Sequence, residues 1–198
     1  MTERATEVLQ TLLEGNERFR TGRSLHYRYE PEEIARFAVN QKPIACVIAC
    51  SDSRVSPEIV FDQPLGNLFT ARIPGNVCAD SGRWTIDIAV SHFKVPLVMV
   101  LGHTGCLAVG QIVDGQGSGE GGPLRLSIMA AVYRAQAKKP EDLLAASIEE
   151  NASLSIEQYT RDSYALRTAL SEDETECVAG IYDIYSGQVR IVPQTASW

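Results

Sequence analysis

Two short segments of the sequence carry side chains that could hold a metal ion. The first reads CSDSR at residues 50–54, and the second reads GHTGC at residues 102–106. His103 and Cys106 lie three residues apart, a spacing that puts both side chains on one face of a turn, where one ion can contact both. Cys50 comes from the other segment and can supply a third ligand. Together the two segments predict a metal site.

The ligand set indicates zinc. Two thiolates and one imidazole suit Zn²⁺ best, because soft sulfur and borderline nitrogen are its preferred ligands. Three protein ligands leave one coordination position open, and an open position separates catalytic zinc from structural zinc. We therefore predict Cys50, His103 and Cys106 as the ligands of a catalytic Zn²⁺ ion.

Asp52 and Arg54 lie beside the first ligand and form the predicted catalytic pair. Their chemistry favours an ion pair, in which the guanidinium can contact both carboxylate oxygens. An Asp52 side chain held by Arg54 could accept a hydrogen bond from water on the zinc. An Asp52 side chain released by Arg54 could instead bind the zinc and close the site. The sequence leaves both states open.

The two segments follow predicted strands. Residues 44–49, 68–73 and 97–101 are short apolar runs typical of buried strands. Cys50 follows the first run, and Gly102 follows the third. Ligands of open α/β sheets gather just beyond the carboxyl ends of the strands, so we expect both segments at the same edge of a sheet.

The remaining pattern alternates helices with these strands. The predicted helices cover residues 2–20, 81–93, 124–137, 141–151 and 155–170. Residues 27–37 are polar and are expected to wrap the surface, residues 115–122 form a predicted flexible glycine loop, and two alternating runs at 177–184 and 188–192 indicate a hairpin. The predicted fold class is α/β: a mostly parallel central β-sheet flanked by helices, with a C-terminal hairpin and an N-terminal helical arm.

Composition limits the classes of function. The chain has 198 residues and a net charge of −7, which fits one domain (1–198, an arm at 1–40 and a core at 41–198) and argues against nucleic acid or an anionic membrane as partner. Its apolar runs are too short to span a bilayer. The N-terminus lacks a signal-peptide core and the five cysteines form a poor disulfide framework, so we predict a cytoplasmic location.

The other cysteines and histidines are interpreted as structural. Cys46, Cys78 and Cys177 are expected to behave as small buried hydrophobic residues. His26 and His92 are expected to be structural or surface residues, because neither lies near another ligand type in the sequence.

The two motifs resemble those of the β-class carbonic anhydrases. The specific matches are CSDSRV at 50–55 and GHTGC at 102–106. The similarity extends to LLEGNERFRTG at 12–22, NQKPIACVIAC at 40–50, PLGNLFTARIPGN at 64–76 and GIYDIYSGQVRIV at 180–192. The resemblance therefore covers most of the chain.

This resemblance implies roles for several residues. The family's zinc ligands correspond to Cys50, His103 and Cys106, and its catalytic dyad corresponds to Asp52 and Arg54. A glutamine that helps to hold substrate corresponds to Gln41, and an aromatic wall residue corresponds to Phe69. The resemblance also implies a homodimer or a multiple of dimers, with the clefts at the interface.

Four positions depart from the family pattern. Leu107 stands where a glycine is usual, Ile88 where a tyrosine is usual, and Ile73 where an asparagine is usual. Val47 replaces the tryptophan of the branch that stores bicarbonate in a regulatory pocket, which puts that kind of regulation in doubt. The changes at Leu107 and Ile88 make the expected cleft less polar, and they bear on rate and substrate more than on metal binding.

The predicted function is zinc-dependent, reversible hydration of carbon dioxide to bicarbonate and a proton by a zinc-bound hydroxide. Phe69, Ile88 and Leu107 are candidate walls of the substrate pocket, and Gln41 would stabilise charge on the substrate oxygens. Two alternatives stay open: hydrolysis of carbonyl sulfide or carbon disulfide at the same zinc, and a non-catalytic bicarbonate sensor or scaffold, which Leu107 motivates. Thiol redox chemistry is weaker still, because the sequence has no C-x-x-C motif.

Overall fold

The structure is a computed structural model that describes residues 1–116 and 122–193. The predicted glycine loop falls largely on residues 117–121, outside the described residues. The helices are α1 (Glu3–Arg20), α2 (Pro31–Phe37), α3 (Pro57–Val60), α4 (Asp80–Ser91), α5 (Leu107–Val113), α6 (Gly122–Ala137), α7 (Leu143–Asp162) and α8 (Tyr164–Ser171). The strands are β1 (Ala45–Ala49), β2 (Leu68–Arg72), β3 (Leu97–His103), β4 (Glu176–Tyr182) and β5 (Val189–Ile191). A 3₁₀ turn spans Pro74–Asn76.

The strands form one sheet in the order β2-β1-β3-β4-β5. The first four strands of that order pair in parallel, and β5 pairs with β4 in the antiparallel direction. This sheet confirms the predicted α/β fold with its C-terminal hairpin. After β1, the chain adds β2 on one side of that strand and then β3 on its other side. The topological switch point of the sheet therefore lies between β1 and β3.

Both faces of the sheet are covered, which explains why β1 and β3 read as continuous apolar runs. On one face, Cys46 and Ile48 of β1 pack in a core cluster with residues of α4 and α7. On the other face, Val47 of β1 and Met99 of β3 pack in a second cluster with Leu12 of α1. Because the side chains of β1 and β3 alternate between the two faces, helices pack on both sides of these strands.

The predicted break between helices at residues 152–154 is wrong. Helix α7 runs for 20 residues without interruption. The polar residues at the predicted helix ends are buried and bonded inside the fold: the Asn151 amide donates to the Gly75 carbonyl, and the Ser155 hydroxyl donates to the Asn151 carbonyl. The chain breaks later, at Ser163, whose hydroxyl accepts the Leu166 N–H and so caps α8.

Helix α2 lies within the stretch for which the sequence predicted only a polar surface path. It begins at Pro31, with a capping box formed by Glu30 and Glu33. None of its residues is buried. The helix therefore has no apolar face packed on the core, which is why hydrophobic periodicity did not reveal it.

Replacing Gly82 by alanine is expected to destabilise the fold. The added methyl carbon would lie 1.9 Å from the Tyr159 hydroxyl oxygen, which donates to the Val77 carbonyl at 2.9 Å. Overpacking of this kind costs about 1–3 kcal/mol, and urea unfolding would measure the loss. The matched control is Gly110→Ala in α5, where the nearest atom, on Leu144, lies 4.0 Å away; that change is expected to stabilise by up to about 1 kcal/mol. Equal stability of the two variants would contradict this interpretation.

Candidate metal centre

Three side chains meet at the carboxyl ends of β1 and β3. Cys50 directly follows β1, and His103 is the last residue of β3. Cys106 precedes α5 after a short turn in which Gly105 has a φ of +65°, a backbone conformation that glycine adopts at little cost. Since β1 and β3 flank the topological switch point, the three residues lie where open α/β sheets bind ligands.

The ligand atoms are close enough to share one ion. The Cys50 and Cys106 sulfurs lie 3.9 Å apart, and all three ligand atoms lie within 4.8 Å of one another. Two Zn–S bonds of about 2.3 Å at a tetrahedral angle place their sulfurs about 3.8 Å apart, close to the separation seen here. Within residues 1–116 and 122–193, this is the one such group of histidine, cysteine and acidic side chains.

The His103 ring is fixed in the tautomer that a metal needs. Its Nδ1 lies 3.0 Å from the Thr104 carbonyl oxygen, and since a carbonyl can only accept, Nδ1 must carry the hydrogen. The ring is fully buried, and Nε2 has no hydrogen-bond partner among the described residues. A buried, unpartnered lone pair beside two thiols fits a metal ligand, because an unsatisfied buried acceptor is otherwise costly.

The surroundings of the Cys50 side chain also favour its thiolate form. Its sulfur shares a hydrogen bond with the Cys106 thiol, in which either sulfur can donate, and it accepts another from the Gly75 N–H at 3.3 Å. Hydrogen bonding lowers the pKa of Cys50, with the contact to Cys106 as the largest cause, and the same contact raises the pKa of Cys106. By contrast, burial raises the pKa of Cys177 to about 12. Hydrogen bonding therefore separates Cys50 from an ordinary buried cysteine.

Asp52 and Arg54 form the bidentate pair that their types suggested. Arg54 donates from Nε to one Asp52 oxygen at 2.9 Å and from a terminal nitrogen to the other at 2.8 Å. The Arg54 side-chain hydrogen bond is the main reason that the pKa of Asp52 lies well below its usual range. The Asp52 Oδ2 atom lies 4.0 Å from His103 Nε2. An ionised carboxylate thus stands beside the metal site while Arg54 holds it.

Residues that no sequence pattern indicated support the Cys50 segment. Arg72, at the end of β2, donates from its guanidinium to the carbonyls of Cys50 and Asp52. The register of β1 and β2 pairs Ala49 with Arg72, so a charged residue at the end of an apolar strand was the available signal. Gly75 donates to Cys50 and accepts from the Asn151 amide at 2.6 Å; no local pattern connects these residues, which are far apart in sequence.

The predicted substrate residues lie in different surroundings. Gln41 lines a surface cavity of about 640 Å³ together with Phe93, and none of the three ligands contributes to that lining. The Phe69 ring lies 5.1 Å from the Phe93 ring. Ile88 is half-buried on α4, and Leu107 is 71% exposed at the start of α5. The roles of these four residues in substrate binding stay predictions.

The other cysteines and histidines take structural or surface positions. Cys46 and Cys177 are buried in one core cluster, as expected, whereas Cys78 is only half-buried at its edge. The His92 ring packs edge-on against Phe93. His26 lies in an exposed segment with a positive φ.

The structure is thus an α/β protein with a mostly parallel sheet, and two thiols and an imidazole that could hold a metal ion lie at its switch point. A family model described as "Carbonic anhydrase" matches residues 45–189. Carbonic anhydrase 2 of Mycobacterium tuberculosis is 45% identical over 100 residues, which are 50% of this chain and 48% of that protein. The chain therefore belongs to the β-class carbonic anhydrase family.

Solved structures show the same fold. The β-carbonic anhydrase CafA of Aspergillus fumigatus superposes with a TM-score of 0.74 at 26% identity, covering 93% of this chain and 90% of that chain. A structure of tetrameric β-carbonic anhydrases from Sordaria macrospora gives a TM-score of 0.73 at 20% identity, covering 94% and 97%. The aligned segment spans about half the length of the Mycobacterium tuberculosis relative. No helix in the described ranges is both long and apolar enough to cross a membrane.

Proposed function

We propose that this protein catalyses the reversible hydration of carbon dioxide to bicarbonate and a proton, with Zn²⁺ held by Cys50, His103 and Cys106. The observation that carries the proposal is the convergence of two sulfurs and an unpartnered, buried imidazole nitrogen within 4.8 Å in a member of this family. Zinc in such a site supplies Lewis acidity that makes water nucleophilic near neutral pH. The residues of the chain supply the remaining steps.

Asp52 and Arg54 orient the attacking water. Asp52 is acceptor-only when ionised, and its Oδ2 lies 4.0 Å from His103 Nε2, so it could accept a hydrogen bond from a water molecule held at the metal site. The bidentate contact with Arg54 holds the carboxylate in that direction. Water loses one proton as its oxygen bonds to the carbon of carbon dioxide, and that proton leaves to the buffer.

We propose Gln41, Phe69, Ile88 and Leu107 as the substrate-binding residues. The amide of Gln41 would donate to substrate oxygens, and the three apolar side chains would shape a pocket for an uncharged, linear substrate. Phe69 is the best placed for a pocket wall, since its partly buried ring already packs against the core cluster that contains Cys50 and Cys106.

We propose that the protein acts in the cytoplasm as a homodimer or a multiple of dimers, each chain forming a single unit with a helical arm at 1–40. Free cysteines support a reducing location. Exposed apolar side chains on and after α2, namely Ile34, Phe37 and Val39, support self-association. The related Sordaria macrospora proteins are tetrameric.

One experiment tests the activity. Purified protein is analysed for zinc, and its rate of carbon dioxide hydration is followed by stopped flow from pH 6 to pH 9, before and after removal of the metal by a chelator. We expect about one zinc per chain, hydration well above background, and its loss and recovery with the metal. Full zinc with no hydration at any pH would overturn the enzymatic proposal in favour of a sensor or scaffold. A parallel assay with carbonyl sulfide identifies the alternative substrate if that reaction is faster.

A further inference from the structure

Thr104, the residue that follows His103, links the candidate metal centre to the β4–β5 hairpin by several hydrogen bonds. The Thr104 N–H donates to the Tyr182 carbonyl at 3.0 Å. Its hydroxyl donates to Asp183 Oδ1 at 3.0 Å and accepts the Ile184 N–H at 3.1 Å. Thr104 is therefore bound through its backbone and its side chain to three consecutive residues at the start of the hairpin turn.

Asp183 also organises the turn itself. Its carboxylate accepts hydrogen bonds from the Tyr185 N–H, the Ser186 N–H and the Ser186 hydroxyl, the last at 2.6 Å. The Gly187 N–H donates to the Asp183 carbonyl. One carboxylate thus joins the closed turn to Thr104, and displacement of the turn would displace Thr104.

Thr104 in turn fixes the His103 ring. The Thr104 carbonyl is the acceptor for Nδ1–H of His103 at 3.0 Å. That single bond selects the tautomer with a free lone pair on Nε2 and sets the plane of the ring. The carbonyl leads into Gly105, whose φ of +65° makes the following backbone permissive, so the hairpin contacts are what hold the carbonyl in place.

We propose that Thr104 and Asp183 are positioning residues of the metal centre, which hold the His103 ring through the Thr104 carbonyl. This inference rests on the proposed metal site. Partners that orient a metal-ligating histidine typically change metal affinity by about 10- to 100-fold when they are removed. The family resemblance assigns a metal-ligating or substrate role to neither residue.

The test uses the metal alone as probe and compares Thr104→Val with Thr104→Ser in the full chain. Valine keeps the branched shape and removes the hydroxyl, whereas serine keeps the hydroxyl. We expect Thr104→Val to weaken Zn²⁺ affinity about 10-fold or more, measured by competition with a chromophoric chelator. The visible absorption bands of the Co²⁺-loaded variant should also shift, because they report ligand geometry. Thr104→Ser should retain the Zn²⁺ affinity and the Co²⁺ spectrum of the wild-type protein.

The control is a hydroxyl with the same bonding pattern elsewhere. Ser163 donates to Asp87 Oδ1 and accepts the Leu166 N–H, as Thr104 does with Asp183 and Ile184. Ser163→Ala should lower the thermal unfolding temperature while leaving Zn²⁺ affinity and the Co²⁺ spectrum unchanged. Asp183→Asn is a second variant that keeps the shape of the side chain and one acceptor oxygen; it should also weaken metal binding.

The outcomes separate this inference from the proposed function. Folded Thr104→Val and Asp183→Asn proteins with wild-type Zn²⁺ affinity and an unchanged Co²⁺ spectrum would overturn the positioning role. Wild-type protein that binds zinc but does not hydrate carbon dioxide would overturn the proposed activity and leave the positioning role supported by the metal measurements. Wild-type protein that takes up no metal would overturn both.

Discussion

Replacing Cys50 by alanine is expected to abolish binding of the proposed zinc ion and, with it, the proposed hydration of carbon dioxide. Cys50 supplies one of only three ligand atoms in the cluster, so its loss leaves two ligands and an exchangeable ion. Without the metal, the rate should fall toward the uncatalysed value, which lies about 10⁶-fold or more below that of a typical enzyme. Zinc analysis and stopped-flow hydration on the same sample measure both effects.

Cys46→Ala is the matched control. Cys46 lies on β1, in the same core cluster as Cys50, and is fully buried. Burial raises the pKa of Cys46, so its thiol stays neutral. This variant is expected to lose about 1 kcal/mol of stability through reduced packing while it keeps its zinc and its activity. A Cys50→Ala protein with full zinc and activity would remove the central support for the metal site.

The convergence of Cys50, His103 and Cys106 could be predicted from the sequence because each motif follows a strong local signal. The apolar runs of β1 and β3 marked two buried strands, and the polar residues directly after them had to lie at the same edge of a parallel sheet. The proximity of Cys50 and His103 could therefore be predicted without knowledge of the strand register. The parallel order was implied by the alternation of strands and helices.

The supporting residues could not be predicted, because they depend on tertiary contacts that no periodicity records. Asn151 reaches Gly75 across 76 positions of sequence, and Thr104 reaches Asp183 across 79. The same polar residues misled the prediction of α7, since Asn151 and Ser155 resemble a helix boundary when their buried partners are unknown. A polar residue in the sequence can mark the end of a helix or can form a buried hydrogen bond inside one. Only the tertiary packing distinguishes the two cases.

Asp52→Asn is expected to keep the metal and lose most of the activity. Asparagine has nearly the same shape, but its amide nitrogen cannot accept a hydrogen bond and it carries no charge to pair with Arg54. If Asp52 orients the attacking water, the hydration rate of the zinc-loaded variant should fall about 10²-fold or more, as for other groups that handle protons in a transition state. Stopped-flow rates normalised to zinc content would measure this loss.

We also predict that Asp52→Asn alters the pH dependence of the unfolding free energy, measured on metal-free protein. Arg54 lowers the pKa of Asp52 in the folded state below the value of 3.8 that an ordinary aspartate has. A carboxyl whose folded pKa is depressed stabilises the native state above its unfolded pKa, and it loses that contribution as the pH falls toward the folded value. The difference in unfolding free energy between wild type and Asp52→Asn should therefore be full at pH 6 and shrink below about pH 4.

Another aspartate–arginine pair distinguishes this effect from a general loss of charge. Asp80 pairs with Arg83 at 2.9 Å, but its side chain is 92% exposed. Exposed pairs contribute about 0–1 kcal/mol, so Asp80→Asn should change neither the hydration rate nor, measurably, the pH dependence of stability. If Asp52→Asn behaved like Asp80→Asn in both measurements, the bidentate contact with Arg54 would be an ordinary surface ion pair. The orientation of the attacking water would then have to come from another group near the open coordination position.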